Sequence, residues 1–232
     1  MLLRRAAVLL CSTFYILQAC SFSAGGQADP KQVLNDASTA LARVKTAAVE
    51  LKFGSGASLA GFSVVSASGK VKLPGDSDTT IKARQSSDSL IELEVVTLQD
   101  HVYLKLPFLG WSDLTGQTTA IPSVGAMFDP QKGLPAVMPK GRSLSTQGSE
   151  TVDGKDCWKI AAVYTATQVA QAIQPLSPAG DIQTTLWVGK DDHLLRKAFL
   201  RGALFQAGKN TSLEVRLHNF NANFDIVKPP IQ

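Results

Sequence analysis

The sequence predicts an α+β fold: a curved antiparallel β-sheet closed on one side by helices and an irregular apolar segment, with an apolar cavity between them. Three observations carry the prediction. From Thr46 onward most of the chain alternates apolar and polar residues with a period of two, in runs separated by Gly, Asp, Pro and Ser. That is the pattern of antiparallel strands with one apolar face. One amphipathic helical segment precedes these strands. Residues 107–141 are too rich in proline for a central strand, yet they carry many large apolar side chains. Such a segment must lie over an apolar surface, and the open side of the sheet is the one available.

The chain opens with Arg4 and Arg5 ahead of an apolar run, Ala6 to Leu17. A basic start and an apolar stretch too short for a permanent span read as a secretory signal over residues 1–19. Leu17-Gln18-Ala19-Cys20 resembles a bacterial lipobox, with an aliphatic residue three places before the cysteine and a small one directly before it. Cleavage is then expected before Cys20, with the thiol acylated. Cys11 fits worse, because it follows Leu10 inside the apolar run. The other reading is an ordinary signal peptide that happens to contain Cys20. Residues 20–28, small and polar, read as a flexible tether, and residues 29–232 as one folded domain. Acyl chains contribute about 0.8 kcal/mol per buried CH₂, so two or more give a stable anchor. The expected location is the extracytoplasmic face of the cell membrane.

Of the 232 residues, 44% are hydrophobic and 18% charged, which leaves substantial apolar area to place. The net charge of +4 falls to +2 once Arg4 and Arg5 are removed. That is too weak to suggest nucleic acid, and no basic run with interleaved aromatics occurs. With Cys11 cut away and Cys20 acylated, Cys157 has no partner for a disulfide. It lies in an apolar strand pattern and reads as a small buried residue.

The elements follow in order. Asp29 and Pro30 suit the N-cap and first position of a helix. Val33, Leu34, Ala37, Leu41 and Val44 then recur at helical spacing. The period changes at "AVELKF", which sets Val49, Leu51 and Phe53 on one face. Val71 and Leu73 alternate in "SGKVKL"; a turn at Pro74-Gly75-Asp76 leads into "TTIKARQ" with Ile81. Ile91, Leu93 and Val95 oppose Glu92 and Glu94, and Val102, Leu104 and Leu106 oppose Tyr103 and Lys105. The proline-rich segment contributes Trp111, Met127, Phe128, Leu134 and Val137 as a lid. A turn at Asp153-Gly154 precedes Trp158, Ile160 and Ala162. Thr165 or Thr167 caps a short helix ended by Pro175. A hairpin turning at Gly189–His193 follows, and the last strand points Leu213, Val215 and Leu217 inward.

The catalytic inventory is thin. His101, His193 and His218 have no metal-ligand spacing, and no cysteine pair assists them. No G-x-S-x-G elbow and no phosphate-binding loop occurs. Glu92 and Glu94 share a strand face, which reads as the solvated side of an amphipathic strand. No catalytic residue, metal or cofactor is assigned, and the chain is not expected to be an enzyme.

Several stretches together resemble the actinobacterial LppX/LprG (LprA/LprF) family of lipoproteins. They are "ASTALARVKTAAVELKF", "GWSDL" with "MFDPQKGLPAVM", "VDGKDCWKI", "TTLWVGKDDHLLRKAFL" and "SLEVRLHNFNANFDIVKPP". They extend from about Asp29 to Pro230. The resemblance implies a half-barrel of antiparallel strands wrapped around helices, similar to the LolA/LolB carriers. It also implies a hollow that binds acylated lipids or lipoglycans and a role in carrying them outward from the plasma membrane. A membrane lipid transporter is a candidate partner. On this basis the expected cavity wall is Val49, Leu51, Phe53, Ile81, Ile91, Leu93, Val95, Val102 and Leu104, with Trp111, Met127, Phe128, Leu134 and Val137 from the lid. The alternative is a non-catalytic envelope lipoprotein with a filled core, acting as an interaction or transporter-accessory protein.

Overall fold

The computed structural model describes residues 28–59, 62–84, 89–117 and 124–231. Cys20, the signal segment and most of the tether lie outside the described residues. Helix α1 (Pro30–Leu41) begins where the sequence places it. The Asp29 carboxylate accepts a hydrogen bond from the Lys31 backbone N–H at 3.0 Å, and proline occupies the first turn. Its buried face is Val33, Leu34, Ala37 and Leu41.

Among the described residues twelve strands follow: β1 (Thr46–Phe53), β2 (Ser58–Leu59), β3 (Phe62–Lys72), β4 (Asp76–Arg84), β5 (Leu90–Leu98), β6 (His101–Leu106), β7 (Gly110–Asp113), β8 (Arg142–Val152), β9 (Lys155–Thr165), β10 (Ala179–Gly189), β11 (Leu195–Gln206) and β12 (Lys209–His218). They form one sheet in the order β7-β6-β5-β4-β3-β1-β12-β11-β10-β9-β8, with β2 paired to β3 off this path. Every pairing is antiparallel. The sheet is curved and unclosed, a half-barrel. The pairing of β1 with β12 brings the first strand against the last and joins two meanders into one surface.

The helical layer lies on the inner face. It comprises α1, a 3₁₀ turn at Val124–Phe128, α2 (Leu134–Val137), a second 3₁₀ turn at Met138–Lys140, and α3 (Ala166–Ala172). Thr165 caps α3 through a reciprocal capping box with Gln168, whose Oε1 accepts from the Thr165 N–H at 2.8 Å. The layer is bolted together by polar contacts. Ser38 Oγ donates to the Pro135 carbonyl at 2.6 Å, and Tyr164 Oη donates to the Met138 carbonyl at 2.9 Å. Burial pushes the Tyr164 phenol far above its ordinary pKa, so it remains a donor at every physiological pH.

The two edge strands depart from the sequence reading. β8 was not anticipated, because "RSLSTQGSETV" shows almost no apolar alternation. It has one neighbour and turns little inward except Leu144 and Thr146. β7 falls inside the proline-rich segment, at the opposite edge, where a short strand survives.

The outer face is not wholly bare. After β12 the chain turns back across it: Thr46 Oγ1 donates to the Ala222 carbonyl at 2.6 Å, Lys70 lies over the Phe224 ring and Lys228 over the Tyr103 ring. Tyr103 and Val96 are buried on this side. Cys157 is also buried here, packed with Val152 and Trp187. Burial raises its thiol pKa, which keeps it protonated.

Candidate apolar binding site

Register places the inner side chains in continuous cross-strand rows. One runs Ile160, Leu186, Ala198, Val215, Leu51, Ala67, Ile81, Leu93 across eight strands. A second runs Leu217, Val49, Gly69, Thr79, Val95, Leu104, Ser112. A third runs Ala162, Thr184, Leu200, Leu213, Phe53. These rows face the helical layer and form the core with it.

Between sheet and helices two narrow apolar voids remain. The first has a volume of about 50 Å³ and is lined by Leu51, Phe53, Val64, Ala67, Thr79 and Ile81 from the sheet, Val124 and Met127 from the first 3₁₀ turn, and Ile173 to Leu176 after α3. The second, about 30 Å³, lies between Leu134, Val137 and Met138 on one side and Tyr164, Thr184, Leu186, Ala198 and Leu200 on the other. Ile173 lines both. A water needs about 10–15 Å³ by this measure, so the first void equals a few waters and neither admits a whole acyl chain as it stands. The expected hollow is largely occupied by the helical layer, with Leu34, Phe128 and Met138 almost wholly buried in it.

On the far side of the 3₁₀ turn lies an open groove of about 550 Å³, bounded by Ala42 to Lys45, Leu73, Pro74, Phe128 and Asp129. Arg43 and Lys45 stand exposed along it. The turn thus separates the buried interior from an open groove that carries the charges of Arg43, Lys45 and Asp129. Arm β5-β6-β7 extends beyond the helices' main contacts, which on this side are with β3 and β4. Its inner residues Ile91, Leu93, Val102 and Leu104 are half-buried. At its end Leu90, Leu106, Phe108 and Leu109 are exposed, Phe108 and Leu109 most of all, at 107% and 74%.

The predicted wall residues divide accordingly. Leu51, Phe53, Ile81 and Met127 line the first void, and Leu134 and Val137 the second. Val49 and Val95 are buried on the inner face; Ile91, Leu93, Val102 and Leu104 form the half-covered arm. Phe128 packs in the core and borders the outer groove. Trp111 requires correction. It pairs with Lys105, which lies over its ring, while its neighbour Ser112 pairs with Leu104 on the inner face. Trp111 is therefore an outer-face residue, displaced from the wall by one step of strand register. The sequence reading also missed Val64, Ala67, Thr79 and the segment Ile173 to Leu176. Small and β-branched residues in β3 and β4 gave a weak apolar signal, and Ile173 to Leu176 read only as a helix end.

Potential catalytic groups are engaged elsewhere. Glu92 and Glu94 pair with Lys82 and Lys105 at 3.7 and 2.7 Å on the outer face. His218 Nε2 lies 3.4 Å from Glu50, and His101 Nδ1 lies 3.3 Å from Thr115 Oγ1. Among the described residues no cluster of three His, Cys, Asp or Glu is placed to hold a metal, and no helix is long and apolar enough to cross a membrane.

The fold and the site define an α+β half-barrel whose apolar inner face is covered by a layer of short helices and turns. Comparison with known proteins makes this specific. The family model described as "LppX_LprAFG lipoprotein" matches residues 29–226, and the chain belongs to that lipoprotein family. It is 23% identical over 231 residues to the lipoarabinomannan carrier protein LprG of Mycobacterium tuberculosis, covering 97% of this chain and 94% of that one. It is 25% identical over 170 residues to the putative lipoprotein LprA of Mycobacterium bovis, covering 68% and 67%. Among solved structures, LprF from Mycobacterium bovis superposes with a TM-score of 0.70 at 19% identity, over 88% of this chain and 99% of that one. LppX from Mycobacterium tuberculosis gives 0.60 at 20% identity, over 86% and 100%. These structural likenesses carry the fold.

Proposed function

We propose that this chain is a membrane-anchored carrier that takes acylated lipids or lipoglycans between its sheet and helical layer and moves them outward from the plasma membrane. The observation that carries the reading is the pair of apolar voids under a layer of short helices and turns, in a family that includes a protein named as a lipoarabinomannan carrier. Acyl chains pass from bilayer to apolar wall at little net cost, since both are apolar. The helical layer must part from the sheet to admit them. It is built from pieces of three to seven residues (α1 aside), which have little stability of their own apart from their packing. Polar headgroups sit in the groove beside Arg43 and Lys45. The exposed Phe108 and Leu109 face the bilayer, and acylated Cys20 holds the protein there, on the extracytoplasmic side. The chain performs no chemistry on its cargo. A membrane transporter as the source of cargo fits this scheme.

The narrowness of the voids favours one other reading, an interaction or transporter-accessory lipoprotein with a filled core. Native mass spectrometry with solvent extraction separates the two. The domain from Ala28 onward, produced in a mycobacterial host without its lipidation signal, is expected to carry acylated lipid at near one-to-one ratio. Lipid-free protein with a cooperative fold would favour the filled core.

A further inference from the structure

The two apolar voids are not alike, and one side chain stands between them. The first reaches the surface: of its lining residues Gln174 is exposed, and Phe53, Ile81 and Pro175 are half-buried. Every residue around the second is buried, none more than 7% exposed. Ile173, 5% exposed, lines both. The sheet explains the spacing. Ala198 borders the second void and Ala67 the first, and both belong to one cross-strand row, Ala198, Val215, Leu51, Ala67. Three strand spacings of about 4.8 Å separate the alanines, roughly 14 Å along the sheet. The row is low at its alanines and higher at Val215 between them. The void space is therefore interrupted on the sheet side there, as it is by Ile173 on the helical side. Ile173 is also held in place. Helix α3 begins at the residue after β9 ends and packs on both β9 and β10. The Ile173 N–H donates to the Val169 carbonyl at 2.9 Å, and the Ile173 carbonyl accepts from the Leu176 N–H at 3.2 Å. When the other pieces of the layer part from the sheet, Ile173 stays with it.

We propose that Ile173 is a stop that sets the length of acyl chain the protein accepts. The chain enters the outer void past Gln174 and Pro175 and ends against Ile173; the inner void lies beyond the stop. This rests on the lipid-carrier reading and adds a chain-length selectivity to it. The physical basis is the cost of apolar surface left in water. A chain that fits moves from one apolar surrounding to another at little net cost. Each methylene left outside forfeits that burial, a loss of about fourfold in affinity. Affinity for a lipid supplied from micelles is therefore level up to the fitting length and falls beyond it.

The test uses the domain from Ala28 onward, which contains the whole hydrophobic core and both sheet edges. It is equilibrated with mixed micelles of decanoyl, lauroyl, myristoyl, palmitoyl and stearoyl lysophosphatidylglycerol, and the bound species are read by native mass spectrometry. The wild type is expected to take the shorter members alike, then to lose about fifteenfold for each two carbons beyond its limit. In Ile173→Ala the limit moves to a longer member of the series. Ile173→Val moves it the same way by less, and carries the test if the alanine variant does not fold. Ile160→Ala, the same truncation at a wholly buried position that lines neither void, leaves the limit where it is. A wild type without a length limit, or one limit shared by the wild type and the Ile173 variants, would overturn the stop and leave the carrier reading standing. An equal shift in Ile160→Ala would also overturn it, since any added cavity would then suffice. Uptake of no member of the series by the wild type would overturn the carrier reading itself, and the stop with it.

Discussion

Ile81→Trp is expected to abolish lipid uptake while the domain still folds. Ile81 sits in the middle of a cross-strand row, between Ala67 and Leu93, and lines the 50 Å³ void. An indole there occupies the space an acyl chain would enter. The position is only half-buried, so the ring can lean toward the open arm. The cost of overpacking should fall at the low end of the usual range, about 1 kcal/mol. The expected readout is a lipid-to-protein ratio reduced by about tenfold or more, equivalent to at least 1.4 kcal/mol of binding, with a nearly unchanged urea midpoint. If wild-type amounts of lipid copurify with the variant, Ile81 is not part of the binding wall. If the variant loses several kcal/mol of stability, the space was core and not cavity.

The largest effect on stability is expected from Phe128→Ala. Phe128 is 2% exposed and comes from the 3₁₀ turn that divides the apolar interior from the open groove beside Arg43 and Lys45. Its truncation removes the side chain that seats this turn on the core. Buried Phe→Ala substitutions cost about 3–5 kcal/mol, a large share of the 5–15 kcal/mol that domains possess. Urea denaturation should show a lower midpoint with the slope retained. A loss below about 1 kcal/mol would mean that the turn contributes little to the folded state. Phe128 would then be a poor hinge for the opening that the carrier reading requires.

Much of this fold was legible because the inner rows are written as alternation. "AVELKF", "LIELEVVTL", "HVYLKL" and "TSLEVRL" each announce a strand and its buried face, and the structure pairs them edge to edge. Asp29-Pro30 announced the start of α1 through its capping chemistry, and of the two threonines offered as caps for α3 the structure uses Thr165. The missing pieces have separate causes. A strand at a sheet edge, such as β8, buries few side chains and so leaves little apolar pattern to read. Trp111 shows a different limit: large apolar residues were assigned inward by type, whereas register sends this one outward to meet Lys105. That the helices nearly fill the hollow is a property of packing, which no periodicity encodes.

The claim that acyl chains enter between the sheet and the helical layer is tested most directly by photocrosslinking. A phospholipid with a diazirine near the end of one acyl chain would be loaded from vesicles, irradiated, and its adducts mapped by peptide mass spectrometry. The account predicts adducts on Leu51, Phe53, Ile81, Ile173 and Leu176, the walls of the first void. Adducts confined to Phe108 and Leu109 at the end of the arm, or to the outer face around Trp111, would show a protein that touches the bilayer without taking lipid inside, and would contradict it.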